Sequence, residues 1–228
     1  MNFQGFGGQY CVDVVMCIDA TGSMQPIIEE VKENALSLYT QFVDGMERQN
    51  KTVGELRVKI VAFRDYICDA VPMAESPFFE LPAQSRELQE YVSGIEALGG
   101  GDTPECAFEA IATAMNSEWT RNGKKRRHVV VVFTDAPALP MGERAGCPNY
   151  PMDLPATLAD LNAWWEGASQ LYSSNYQAKA GRLIAFVPND DSWEQIAHWN
   201  RFTPSYTAGQ GCSSVDMSTI IDTVVGSF

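Results

Sequence analysis

Three short stretches of this 228-residue chain concentrate oxygen donors. Asp19-Ala20-Thr21-Gly22-Ser23 sets a carboxylate and two hydroxyls at alternate positions of a turn. Gly100-Gly101-Asp102-Thr103-Pro104-Glu105 offers a hydroxyl at a helix start, and Thr134-Asp135 a second carboxylate. Alternate side chains of a tight turn converge on one point, and Gly22 permits the bend. Asp19, Thr21, Ser23, Thr103 and Asp135 supply three neutral hydroxyls and two acids. With water they make the all-oxygen shell that Mg²⁺ takes in octahedral geometry at about 2.1 Å, with Mn²⁺ or Ca²⁺ as substitutes. So few protein charges leave a bound ion electrophilic, able to take a carboxylate from another molecule. Asp102 is the competing donor in the second stretch; its use would add a charge and weaken the hold on an external acid. Taken singly, Thr21, Ser23 and a strand-end acid each read as helix caps. The set of three stretches reads as a cation site.

The elements between these stretches place them at the carboxyl ends of strands. Cys11 to Asp19 is an almost unbroken apolar run ending in an acid, as a fully buried parallel strand reads. Ile27, Ile28, Val31, Ala35, Leu38, Tyr39, Phe42 and Met46 recur at three and four, which predicts one long amphipathic helix. Leu56 to Phe63 is a second strand, running into Arg64-Asp65, and Phe78 to Leu81 a short edge strand. A helix over Ser85–Leu98 and another starting near Thr103-Pro104, with proline in its first turn, lead to the strand His128 to Asp135. Ala136 to Asp153 is a loop with four prolines, longer than a connector needs. A helix around Leu158 to Ala168, a strand Leu183 to Val187, a short helix behind the capping pair Asp190-Asp191 and a final helix Met217 to Val225 complete the order. The β-branched residues of that last segment leave a strand open there. Alternation of this kind predicts an α/β fold, an open, mostly parallel twisted sheet with helices on both faces. In such sheets ligands bind at the carboxyl ends of strands near a topological switch point, where Asp19 and Asp135 fall.

At this point the chain resembles a von Willebrand factor type A domain carrying a metal-ion-dependent adhesion site. Such sites read Asp-x-Ser-x-Ser after the first strand, Thr after a later loop, and Asp after the next central strand. The matching residues are Asp19, Thr21 and Ser23, then Thr103, then Asp135. The likeness runs from Cys11 to about Val225, so a single domain over residues 1–228 is expected, with a Pro-rich loop at 136–153. Thr21 stands where Ser is usual, and Ala136 where many relatives have Gly. The resemblance implies a Rossmann-like fold and a protein-interaction module whose metal binds an Asp or Glu of a protein partner. It implies no enzyme.

Charge and composition narrow the partners. With 16 basic and 29 acidic residues the net charge is −13, which argues against a phosphate backbone as ligand and so against nucleic acid. Lys124-Lys125-Arg126-Arg127 is the one basic run, read as a solvated turn ahead of a buried strand. No apolar run approaches the ~18 residues of a membrane helix, and the first residues lack a secretory pattern. Six cysteines without a Cys-x-x-Cys pair point to a reduced, cytoplasmic protein, with Cys11 and Cys17 buried as small hydrophobes. His128 and His198 lie too far apart in sequence for a zinc site, and Asp65 reads as a loop group orienting waters. Trp164, Trp165, Trp193 and Trp199 read as packing residues. Two rivals remain for the site: a phosphatase-like, metal-dependent hydrolase using the same strand-end acids, and a scaffold whose metal site is vestigial. The hydrolase lacks a second Asp at position 21 and an obvious base for activating water. The sequence leaves the oligomeric state open.

Overall fold

A computed structural model describes residues 8–99, 104–168, 176–207 and 210–228. Four strands pair in parallel with their neighbours: β1 (Tyr10–Asp19), β2 (Val53–Phe63), β5 (Lys125–Phe133) and β6 (Gly181–Val187). The parallel strand β7 (Phe202–Tyr206) closes one edge. At the other, β3 (Met73–Glu75) and β4 (Phe79–Leu81) each run antiparallel to β2, giving the order β3-β2-β1-β5-β6-β7 with β4 also on β2. This is the mainly parallel α/β sheet expected from the alternation.

Alternate residues of the central strands feed two apolar layers, because successive side chains of a strand point to opposite faces. Val12, Val14, Met16 and Ile18 pack with α1 (Gln25–Asn34), α2 (Leu38–Arg48), α3 (Ser85–Ser93) and α7 (Met217–Gly226). Val15 and Cys17 pack with α4 (Ala107–Met115), α5 (Leu158–Trp165) and α6 (Asp191–Glu194). Trp164, Trp165, Trp193 and Trp199 are all buried on this second side, as expected of packing residues. Cys11, Cys17, Cys106, Cys147 and Cys212 are free thiols, and Cys11 and Cys17 are fully buried. No helix of the described residues is long and apolar enough to cross a membrane.

Several local expectations need correction. The long first helix is two, broken over 35–37. There Ser37 Oγ and N both bond the Asn34 carbonyl, and Asn34 Nδ2 bonds that of Glu30, so short polar side chains compete for helix acceptors. Helix α3 stops at Ser93 rather than Leu98. The next helix begins at Ala107, leaving Pro104 outside its first turn, because Glu105 makes an isolated bridge to Ala138. The basic run is no turn: Lys125, Arg126 and Arg127 pair in register with Tyr10, Cys11 and Val12. Strands β3 and β7 escaped the sequence reading, being short or half-exposed edge strands. Pro204 sits in β7 at a position whose N–H would face away from β6, given that Arg201 and Thr207 bond inward, so it interrupts no ladder.

Candidate metal centre

The chain leaves β1 towards β2 on one side, while β5 continues to β6 on the other, so the crevice between the carboxyl ends of β1 and β5 is a switch point. Asp19 is the last residue of β1 and is fully buried. Its Oδ1 accepts the Thr21 N–H at 2.9 Å and its Oδ2 the Thr134 hydroxyl at 2.7 Å. Asp135 follows β5 by two residues. Its Oδ1 accepts the Ser23 hydroxyl at 2.9 Å, across 112 residues of sequence, and its Oδ2 the Gly211 N–H at 2.6 Å. Asp19, Thr21, Ser23 and Asp135 therefore meet at one strand-end crevice. Thr103 and its rival Asp102 lie outside the described residues.

Capping does not explain the hydroxyls. Thr21 stands at the cap position of the short turn Gly22–Met24 and makes no side-chain cap bond, while the Ser23 hydroxyl is given to Asp135. The Thr21–Ser23 turn is held from three directions. Met24 N–H bonds the Thr21 carbonyl at 3.0 Å, and Ala20 is fixed by the Leu98 N–H at 3.1 Å and the Phe63 carbonyl at 2.9 Å. Arg64, just past β2, donates to the carbonyls of Ala20 (3.1 Å), Leu98 (3.1 Å) and Glu96 (2.7 Å). The early end of α3 is what frees the Glu96 and Leu98 carbonyls for this clamp.

Electrostatically the crevice is unfinished. Burial pushes the Asp19 carboxyl above its usual range, the Asp135 charge adds to the shift, and hydrogen bonds from Thr134 and Thr21 oppose it. Among the described residues no basic side chain forms an ion pair with Asp19 or Asp135. Two neighbouring carboxylates with hydroxyls and no counter-charge are a donor set that fits one hard divalent cation. Among the described residues no group of three or more His, Cys, Asp or Glu is placed to hold a metal, so the fit rests on hydroxyls as much as on acids.

Asp65 is a loop group with protein partners. It is buried, bonds the Ile67 N–H at 2.5 Å and pairs with Arg144 at 2.7 and 3.0 Å, anchoring the 136–153 loop. The same loop is tied to α4 through Glu109, whose Oε1 accepts from Gly142 N–H (3.1 Å) and Tyr150 hydroxyl (3.2 Å). Three residues that shape the crevice were missed in the sequence. A threonine ending the apolar run of β5 was the signal for Thr134. Gly211 has φ +67°, and a Cβ there would run into the Ser23 carbonyl and lie 2.8 Å from Pro26 Cδ. Arg64 carried no signal beyond its position after a strand.

The chain belongs to the von Willebrand factor A domain family, whose model matches residues 13–142. It is similar to an alpha-protein kinase of Dictyostelium discoideum, at 26% identity over 157 residues, 66% of this chain and 22% of that protein. It is also similar to a putative ariadne-like RING finger protein of Acanthamoeba polyphaga mimivirus, at 32% over 129 residues, 57% of this chain and 11% of that protein. The chain thus spans less than a quarter of the length of either relative. The fold is shared with the pilus adhesin SpaC of Lactobacillus rhamnosus GG, with TM-score 0.55 at 11% identity, covering 96% of this chain and 31% of the adhesin. A von Willebrand factor type A protein of Catenulispora acidiphila gives TM-score 0.53 at 15% identity, covering 96% of this chain and 43% of the other.

Proposed function

We propose that this domain is a protein-interaction module that binds a partner's Asp or Glu through a divalent cation, Mg²⁺ foremost, at the Asp19–Asp135 crevice. Asp19, Thr21, Ser23 and Asp135 would hold the ion directly or through water, joined by Thr103 on the strength of the motif. The observation that carries this reading is the buried Asp19, beside a second carboxylate and, among the described residues, without a basic partner, whereas the other buried aspartates described, Asp13 and Asp65, each have an arginine. When bound, the cation would supply a positive charge with a coordination position open to an external carboxylate. The chain's own residues do the rest. Thr134 and the Thr21 amide fix the Asp19 carboxylate, Gly211 fixes that of Asp135, and Arg64 holds the turn that presents Thr21 and Ser23. Von Willebrand factor A domains typically mediate protein interaction, and the likeness to an adhesin and to much longer proteins agrees with a recognition module. The role proposed is binding without turnover.

Calorimetric titration with Mg²⁺ and Mn²⁺ tests the centre. Wild-type protein should take up one ion, and Asp19→Ala and Asp135→Ala none, with circular dichroism unchanged. Undiminished uptake by both variants would refute the site. A metal-dependent hydrolysis of phosphoesters or esters that vanishes in Asp19→Ala would replace the binding role with an enzymatic one.

A further inference from the structure

The basic run sits at the amino-terminal pole of the sheet, opposite the crevice, and the fold enlarges it with residues from elsewhere in the chain. Lys125 Nζ lies 5.1 Å from the Tyr10 ring, and the Arg127 guanidinium 5.1 Å from Tyr10 and 5.4 Å from Phe228. Lys51 Nζ is 5.7 Å from Phe228, and the Tyr10 and Phe228 rings stack at 5.7 Å. Arg182 joins from β6, with Nε on the Ser227 carbonyl at 2.6 Å. Among the described residues none of Lys51, Lys125, Arg127 and Arg182 has an acid within ion-pair distance. Their neighbours are carbonyls and aromatic faces, which attract cations without cancelling their charge. The crowding is costly: burial lowers Lys51, Arg127 and Arg182 from their ordinary values, and the charge of Arg127 adds to the shift of the other two. In a chain of net charge −13, four cations without an acidic side chain at ion-pair distance among the described residues form a local exception to the acidic surface.

We propose that this pole is a second recognition surface, which docks a short acidic protein segment across Lys51, Lys125, Arg127 and Arg182. The four donors come from three segments, with Lys51 just before β2, Lys125 and Arg127 on β5 and Arg182 on β6, and they spread over the end of the sheet, which suits an extended chain of carboxylates. The acidic remainder of the molecule disfavours a long polyanion, whose ends would overhang the basic area. This surface needs no metal, and is independent of the centre proposed above.

The test uses a labelled oligoglutamate peptide and fluorescence anisotropy in chelator at low salt. Binding should be present, weaken steeply with salt, and persist in Asp19→Ala. Lys125→Glu, at an exposed position, should weaken it on the order of fivefold or more. Arg86→Glu makes the same charge change at an exposed position of α3, outside the four donors, and should leave it within about twofold. Lys51→Gln gives a second reading at a milder cost, and circular dichroism checks each fold. Equal losses in Lys125→Glu and Arg86→Glu, no binding in chelator, or tighter binding of a short DNA duplex than of the peptide would each overturn the proposal. Loss of chelator-resistant binding leaves the metal centre standing, and failure of Mg²⁺ uptake leaves this pole standing.

Discussion

Asp13 and Asp19 lie six residues apart on β1, point to the same face and are both fully buried, yet the molecule treats them differently. Asp13 receives Arg57 through two bonds of 2.8 and 2.6 Å and the Thr120 amide at 2.6 Å. Burial pushes its carboxyl up, Arg57 pulls it back, and Asp13 in turn holds Arg57 above its ordinary value. His128, opposite Asp13 in β5, completes that pole by bonding the Thr120 carbonyl and accepting the Gln177 amide. Asp19 has hydroxyls, an amide and a second acid. One strand therefore carries the same residue in two states of completion. Where the chain supplies the counter-charge the carboxylate holds the sheet together; where it does not, the cation we propose would complete it.

The comparison breaks most sharply on metal uptake. Asp19→Ala should lower Mg²⁺ affinity on the order of a hundredfold or more, while Asp13→Ala leaves it within about twofold; titration calorimetry reads both. Stability should invert the ranking. Asp13→Ala takes from Arg57 its two shortest bonds, leaving it the Glu55 carboxylate at 3.8 Å and the Glu118 carbonyl, and should cost about 2–3 kcal/mol in urea unfolding. Asp19→Asn in chelator should change stability by less than about 1 kcal/mol, upward, because an uncompensated buried charge is removed.

Titration sharpens the same contrast. Burial lowers His128 to about 4 from 6.5, so below 6.5 the unfolded chain binds the extra proton first. Stability should be full above pH 6.5 and fall by about 3 kcal/mol towards pH 4, and His128→Gln should remove most of that slope. The crevice wall gives a further test. Gly211→Ala forces a Cβ against the Ser23 carbonyl in a left-handed conformation and should cost about 1–2 kcal/mol, with a weaker hold on Asp135 and lower Mg²⁺ affinity.

The central sheet was legible because its strands are long and apolar on both faces, and β1, β2, β5 and β6 all fall where the runs of Val and Ile placed them. The crevice acids were legible because a charge ending such a run has few structural uses. Edge strands were not: β7 contains a proline and half-buried residues, so its pairing is decided by a neighbour that no local pattern reveals. The break at 35–37 was hidden for the opposite reason, since the apolar spacing continues across it while Asn34 and Ser37 rearrange the backbone. The basic run misled because exposure was inferred from charge, whereas register with Tyr10 to Val12 and the rings of Tyr10 and Phe228 decide its place. Arg64 and Gly211 act through backbone groups, which side-chain chemistry in a sequence does not announce.

Pro204 has a bearing on the protein at high concentration. A strand arriving along the free side of β7 would find a pyrrolidine ring where it needs a hydrogen-bond donor. On the opposite margin β3 and β4 are three residues each, too short to template a ladder. Both margins of the sheet therefore disfavour pairing with a strand from another molecule.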